Sequence, residues 1–399
     1  MTNVMVNSAA DLTASAQVGE ASPYEPNVDV LCARCGISRL ANVTGLDELG
    51  ISVCVAVRPH SRGLSTAQGK GFDWVQAKMS ALMESVESWH AERIRRPLFA
   101  GSVMQAEAEG LTVVPPEFFP HRPTRLPLRQ SPTQLLEMTR LTTDEHAWLP
   151  FDCASTDFTF ERTQPPIFMR SSNGLAAGSD WSQACLHALT EVVERHHVQQ
   201  WWQQQGLFQH AAQLTHSALP AMEALLQRCH HLQLKVLLWD LSADAVFPCF
   251  VALLLPDPLG VSAETGLFTG YGCQLDPASA IQSAVLEAVQ SRLTLITGSR
   301  DDLGYEDYRR CRNAQFMEWL WRQHQQAPAL DRSFLCKLES KVSVAESIEQ
   351  VERFYRQPVY GLELTEPQLA VPVIRIVMPG MQNLGMAARY YLQRQEPLL

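Results

Sequence analysis

The sequence lacks several features that would assign it to common functional classes. It contains no apolar run of about 18 residues, the length that a membrane-spanning helix needs, so we expect no segment that spans a membrane. Its start has no basic segment followed by an apolar stretch, so we expect no secretory signal and a cytoplasmic location. The net charge is -10, and the only compact basic run is 93–96, so a nucleic-acid surface is excluded.

Cysteines are present but do not form a recognisable framework. The ten cysteines are irregularly spaced in 399 residues, which argues against a disulfide scaffold and fits a reducing compartment. Cys32-x2-Cys35 has no second CxxC motif and no neighbouring histidine pair, so two ordinary thiols are favoured over a metal site. A role of Cys32 and Cys35 in sulfur transfer stays open.

The composition is that of a globular protein, with 46% hydrophobic and 19% charged residues. Residues 1–28 show no sustained periodicity and are predicted to form a flexible arm, whereas 29–399 are predicted to form one folded domain. Short apolar runs predict strands at 51–57, 236–241, 250–255 and 371–378. Helical spacing predicts helices at 74–93, 181–202, 278–296 and 344–355. The alternation indicates an α/β or α+β fold.

The most informative feature is a helical pattern that occurs three times. In each copy an Ala is followed four residues later by a second Ala, then three residues later by a Glu, then three residues later by Glu or Gln. The copies are 77–87, 184–194 and 280–290. Residues at this spacing share one helix face, so the acids of each copy point to the same side.

A glycine-containing segment precedes each copy, and glycine permits a tight turn or the close approach of a ligand. A single pair of acids is usually a solvated helix face, but three copies in register favour a functional site. Duplication of a structural unit is the alternative. Converging carboxylates would repel one another, and Mg²⁺ is the cation that best relieves this while also bridging to nucleotide phosphates.

These motifs together resemble the YcaO family of ATP-dependent enzymes that modify peptide or protein backbones. The resemblance extends over about 37–380 and includes Ser80-x3-Glu84-x2-Glu87, the run 172–178 (SNGLAAG) and Glu191-x2-Glu194-Arg195. It continues with Glu287-x2-Gln290-Ser291-Arg292 and the run 298–302 (GSRDD). The family implies interlocked α/β subdomains with an ATP site that is not a P-loop, and the chain contains no P-loop sequence.

The resemblance implies a set of site residues. The implied metal ligands are Glu84, Glu87, Glu191 and Glu194. The implied ATP-binding residues are Ser80, Glu84, Ser179, Gln183, Glu191, Arg195, Glu287, Gln290 and Arg292. Gln183 departs from the family, where Glu is common, and no residue is assigned as a catalytic acid, base or nucleophile.

The reaction implied by the family is phosphorylation of an amide oxygen. A nucleophile attacks the backbone carbonyl carbon, and ATP converts the resulting oxyanion into a phosphate leaving group. A Cys, Ser or Thr side chain as nucleophile gives an azoline, whereas external sulfide gives a thioamide. Such an enzyme chiefly positions reactants and neutralises charge.

The segment 36–47 resembles YcaO proteins that operate with a TfuA-like partner. The chain ends in 395–399 without the proline-rich tail of many azoline-forming members, which modestly favours thioamide formation. We expect a precursor peptide or protein as substrate and a TfuA-like or leader-binding partner, and a homo-oligomer is compatible with the sequence. Because Gln183 and Gln290 stand on the acid faces, a catalytically silent nucleotide- or peptide-binding scaffold is the alternative.

Overall fold

A computed structural model describes residues 27–381, except 160–165, 204–210, 215–218, 243–244, 261–263, 301 and 331–341. The predicted arm at 1–28 lies outside the described residues apart from its last two. The chain end at 395–399, used above to favour a thioamide product, also lies outside them.

The described residues form a mixture of helices and antiparallel strands. The α-helices are α1 (Val28–Cys35), α2 (Trp74–Ala91), α3 (Val103–Ala108), α4 (Trp181–Gln203), α5 (Glu223–His231), α6 (Pro277–Thr297), α7 (Tyr305–Arg310), α8 (Ala314–Gln326) and α9 (Val344–Tyr355). The strands are β1 (Arg39–Asn42), β2 (Ser52–Val57), β3 (Thr66–Gly71), β4 (Leu98–Gly101), β5 (Thr133–Arg140), β6 (His146–Pro150), β7 (Leu175–Ala177), β8 (Ala212–Gln213), β9 (Leu234–Asp240), β10 (Cys249–Pro256), β11 (Phe268–Cys273), β12 (Tyr360–Glu363) and β13 (Val373–Val377).

The mixed α/β architecture predicted from the sequence is confirmed. The four predicted helices are α2, α4, α6 and α9, and the four predicted strands are β2, β9, β10 and β13. Their ends agree to within two residues, because Pro, Gly and capping residues mark most of the boundaries. In the described part of the chain, no helix is both long and apolar enough to cross a membrane.

The chain divides into two compact units, and it alternates between them. The first unit contains the described residues among 27–31, 86–192 and 342–381. Its sheet has the strand order β4-β5-β12-β13-β7, with β6 paired to β5. Because neighbouring side chains on a strand point to opposite faces, Leu136 and Met138 enter one core while Leu135 packs with Val103 and Ala106 of α3.

The second unit contains the described residues among 32–85 and 193–330. It has a three-stranded sheet, β1-β2-β3, and a four-stranded sheet, β11-β10-β9-β8. Alternate residues of β10 pack with α5 and α6 on one face and with α4 and α8 on the other. Helices on both faces explain why every residue of β10 is buried and apolar.

The threefold pattern corresponds to a strand packed directly against the helix that follows it. The sequence suggests that the glycines permit a tight turn or the approach of a ligand, and in the structure they approach the helix backbone. A methyl group added at Gly270 would lie 2.0 Å from the carbonyl oxygen of Ala284, too close for any side chain. Gly69 and Gly178 also lie against a helix backbone, where an added methyl group would be 2.0 Å from the nitrogen of Ala81 and 2.4 Å from the nitrogen of Ala184, respectively. The glycines and alanines are therefore explained by packing, which leaves the acids to be explained.

We expect Gly270→Ala to lower the free energy of unfolding by about 2 kcal/mol or more, because overpacking against a rigid helix backbone cannot be relieved by a side-chain movement. Gly45→Ala is the matched control, since no atom lies within 4 Å of an added methyl group there. Thermal and urea unfolding of both variants measure the difference. Equal midpoints for the two variants would contradict the packing explanation.

Candidate functional site

The two acids of the first copy each accept a hydrogen bond from a strand backbone. The Glu84 carboxylate accepts from the backbone N–H of Gln68 at 3.2 Å, in the second unit. The Glu87 carboxylate accepts from the backbone N–H of Ala177 at 2.7 Å, in the first unit. Gln68 and Ala177 each stand directly before a glycine of the strand–helix contact. Both acids of this copy therefore bond to the residue that precedes such a glycine, and a purely solvated helix face is excluded for both.

Gln68 on β3 is the most densely bonded residue of this group. Its backbone N–H donates to the Glu84 carboxylate, and its carbonyl oxygen accepts a hydrogen bond from the Gln290 side chain at 2.8 Å. Its own side chain donates to the Ser299 hydroxyl at 2.7 Å and accepts from the Thr294 hydroxyl. Gln68 thus connects α2, α6 and the segment after α6. The sequence patterns did not single it out, although it occupies the position before the repeated glycine.

A charged pair lies two residues further along β3. Lys70 Nζ is 3.1 Å from a carboxylate oxygen of Glu287, and the two side chains are 23% and 24% exposed. A partly exposed pair of this kind adds little to stability. Its cation and its carboxylate are instead available to a phosphate and a metal ion, respectively.

The acid of α4 that belongs to the second unit, Glu194, forms another charged group with Arg195. Arg195 Nε is 3.5 Å from a Glu194 carboxylate oxygen, and its guanidinium lies 5.8 Å from the ring centre of Tyr271 on β11. Burial raises the pKa of the Tyr271 hydroxyl to about 12, and the charges of Glu287 and Glu194 add to that increase. Tyr271 therefore lies near the carboxylates of Glu194 and Glu287. These two acids and Arg195 thus belong to one cluster of charged residues.

Arg292 was predicted to contact phosphate, and the structure gives it internal partners. Its guanidinium donates to the Asp47 carboxylate at 3.1 Å and to the Thr265 hydroxyl, and it is buried next to the Phe268 ring. This pairing between α6 and the segment before β2 favours a structural role. Asp47 is part of the segment 36–47, and the sequence patterns gave no sign of this bond.

Ser179 and Gln183 lie at the exposed start of α4, where they form a helix cap. The Asp180 carboxylate accepts from the Gln183 backbone N–H at 2.8 Å, and the Gln183 side chain accepts from the Ser179 backbone N–H at 2.7 Å. Capping accounts for these contacts without a nucleotide. Ser80 is exposed on α2 about one turn before Glu84. Glu191 is half-buried on α4 in the first unit.

Buried groups near these residues stay neutral at physiological pH. Burial lowers the pKa of His197 on α4 to about 4, so its imidazole carries no charge near pH 7. Burial raises the pKa of the Cys54 thiol to about 11, which keeps it from acting as a nucleophile. The arrangement suits positioning and charge neutralisation better than proton transfer or covalent catalysis.

The donor set fits a magnesium–nucleotide complex better than a resident metal ion. Within the described ranges, no group of three or more His, Cys, Asp or Glu side chains could hold a metal by itself. Mg²⁺ that arrives with a nucleotide needs only one or two carboxylates, since phosphates and waters complete its shell. Glu84, Glu194 and Glu287 are oxygen donors of the required kind, and Lys70 and Arg195 supply cations for phosphates.

Comparisons with known proteins identify the family of the chain. The family model described as a YcaO cyclodehydratase that binds ATP and Mg²⁺ matches residues 68–382. A relative from Rhizobium leguminosarum bv. trifolii, an uncharacterized protein in the tfuA 3' region, is 30% identical over 87% of this chain and 84% of its own length.

Two solved structures share the fold. A heterocyclase in complex with substrate and cofactor has a TM-score of 0.70 at 18% identity, over 90% of this chain, and the chain spans 55% of that protein's length. The YcaO protein of Methanopyrus kandleri, bound with AMPPCP and Mg²⁺, has a TM-score of 0.65 at 22% identity, over 88% of each chain. The family match over most of the sequence, together with the shared fold, shows that the chain belongs to the YcaO family of ATP- and Mg²⁺-binding cyclodehydratases.

Proposed function

We propose that the chain is an ATP-dependent enzyme that activates backbone amides of a ribosomally made peptide or protein. The observation that carries this proposal is the arrangement around β3, where Glu84 and Gln290 bond to Gln68 while Glu287 pairs with Lys70. Carboxylates fixed by a strand edge, with a cation beside them, suit magnesium and phosphate chemistry. The family to which the chain belongs supports the same activity.

The chain's own residues would act by binding and orientation. When bound, ATP supplies the phosphoryl group that makes the amide oxygen a leaving group, and Mg²⁺ offsets the phosphate charge. Glu84, Glu194 and Glu287 in the second unit, and Glu87 and Glu191 in the first, are the proposed oxygen ligands. Lys70 and Arg195 would hold phosphate oxygens, Arg195 as a planar donor that suits paired oxygens. We do not assign a phosphate contact to Arg292, because Asp47 already holds its guanidinium.

We propose a thioamide as the product and a TfuA-like protein as the partner, with an azoline as the second candidate. The gene neighbourhood named for the Rhizobium relative and the resemblance of segment 36–47 support the partner. A precursor peptide bound to such a partner would be the substrate in either case.

Glu84→Gln and Glu191→Gln are each expected to reduce peptide-dependent ATP consumption by about a hundredfold or more, because a charged ligand near the phosphates is lost. In Glu84→Gln, the glutamine keeps the shape of the side chain and an oxygen that accepts the Gln68 N–H, so the thermal midpoint of this variant should change little. Glu349→Gln, on the exposed side of α9, is the control and should retain activity. Full peptide-dependent ATPase in both site variants would refute the assignment.

Gln68→Ala is expected to raise the KM for ATP about tenfold, because the loss of two side-chain hydrogen bonds lets Glu84 and Gln290 shift. Gln213→Ala is the matched control. It also removes two side-chain bonds, to the carbonyl oxygens of His324 and Ala327, in another part of the same unit. Both variants should lose similar stability, but only Gln68→Ala should change the KM. An equal KM in the two would contradict the role given to Gln68.

The product is decided by the intact mass of a precursor peptide co-expressed with the chain and its partner. A thioamide makes the peptide heavier by the difference between a sulfur and an oxygen atom. An azoline makes it lighter by one water molecule. An unchanged mass, with ATP binding retained, would favour the silent scaffold that Gln183 and Gln290 leave open.

A further inference from the structure

Arg375 on β13 is a buried charge that the fold does not explain. Its side chain is in the interior, with the residue only 2% exposed, and one N–H group at Nη2 donates to the carbonyl oxygen of Cys153 at 2.6 Å. Its Nε and Nη1 groups are buried and have no hydrogen-bond partner among the described residues. A guanidinium has five N–H donors, so most of its bonding capacity is unused.

A purely structural role does not account for this residue. A buried charge is costly unless it is paired, and replacing it by an apolar side chain of similar size is often neutral or stabilising. The loss of the single hydrogen bond to Cys153 would not prevent such a replacement. A buried guanidinium with unused N–H donors indicates that this residue binds an anionic partner.

The nearest candidate partner is Glu191 on α4, in the same unit. Gly174 lies between the two segments: an added methyl group would be 2.3 Å from the carbonyl oxygen of Ile376 and 2.7 Å from a methyl carbon of Val192. The Ile376 N–H also donates to the Gly174 carbonyl oxygen at 2.7 Å. Val192 of α4 and Ile376 of β13 therefore lie on either side of Gly174, and Glu191 and Arg375 are their neighbours in sequence.

The electrostatics agree with this placement. Burial lowers the pKa of the Arg375 guanidinium to about 10, and the Glu191 carboxylate acts in the opposite direction. Arg375 therefore remains charged at neutral pH, and the Glu191 carboxylate is the strongest stabilising charge near it. The second anionic influence, the Cys153 thiol, is neutral there because burial raises its pKa.

We propose that Arg375 is a positioning residue for Glu191, whose carboxylate takes the unused Nε and Nη1 donors. The pair would fix the direction of the Glu191 carboxylate and so its geometry toward magnesium. The planar guanidinium is suited to this, since it binds both oxygens of a carboxylate at once. This inference rests on the proposed function for the role of Glu191, but not for the ion pair itself.

The ion pair is tested without any ligand, by thermal unfolding of Arg375→Met, Glu191→Gln and the double variant. Glu191→Gln should lower the midpoint further than Glu349→Gln, because it leaves the buried guanidinium without its anion. If the Arg375 donors bind another partner instead, Glu191→Gln should have little effect. In the Arg375→Met background the same change should have no effect, and Arg375→Met alone should leave the midpoint equal or higher. Additive midpoints would overturn the pairing.

The positioning role is tested by magnesium-dependent binding of a non-hydrolysable ATP analogue, measured by calorimetry. Arg375→Met should weaken this binding about tenfold, and Arg375→Lys should recover part of it, because lysine keeps the charge but not the two-pronged donor. Unchanged binding in Arg375→Met would overturn the positioning role. If the unmodified chain bound no analogue, the proposed function would fail, while the midpoints would still decide the pairing.

Discussion

The structure depends on the contact between strand glycines and the backbone of the helix that follows them. Because Gly69, Gly178 and Gly270 carry no side chain, each strand lies against its helix at a distance that no other residue would permit. A carboxylate one or two turns further along that helical face can then reach a strand N–H, as Glu84 does at Gln68. The close packing at the glycines and the placement of the acids thus belong to the same repeated strand–helix unit.

The charges are organised around backbone groups and single cations. Glu84 and Glu87 are held by strand N–H groups, and Glu287 by Lys70, so each acid is oriented in the absence of a metal ion. We propose that this arrangement receives magnesium together with a nucleotide, unlike a structural metal site, in which protein ligands saturate the ion.

Local patterns predicted four helices and four strands and suggested the acids as site residues, but they gave no sign of partners that are distant in sequence. The ends of the helices that carry the acids were predicted to within two residues, because the repeat depends on residues that are close together in the sequence. The partners of Arg292 and Gln68, namely Asp47, Ser299 and Thr294, are far along the chain and leave no periodic signal. Arg375 was missed because an arginine inside an apolar strand looks like a surface residue until its burial is known. The glycines alone do not distinguish a tight turn, a ligand and a neighbouring helix, since the close approach of any of these requires the same residue.

The central claim is that ATP activates an amide oxygen, and the fate of that oxygen tests it most directly. A precursor peptide whose backbone amides carry a heavy oxygen isotope would be converted by the chain and its partner, and the phosphate released would be analysed by mass. The account predicts one labelled oxygen in the phosphate for each amide modified, whether the product is a thioamide or an azoline. Unlabelled phosphate released together with modified peptide would contradict it.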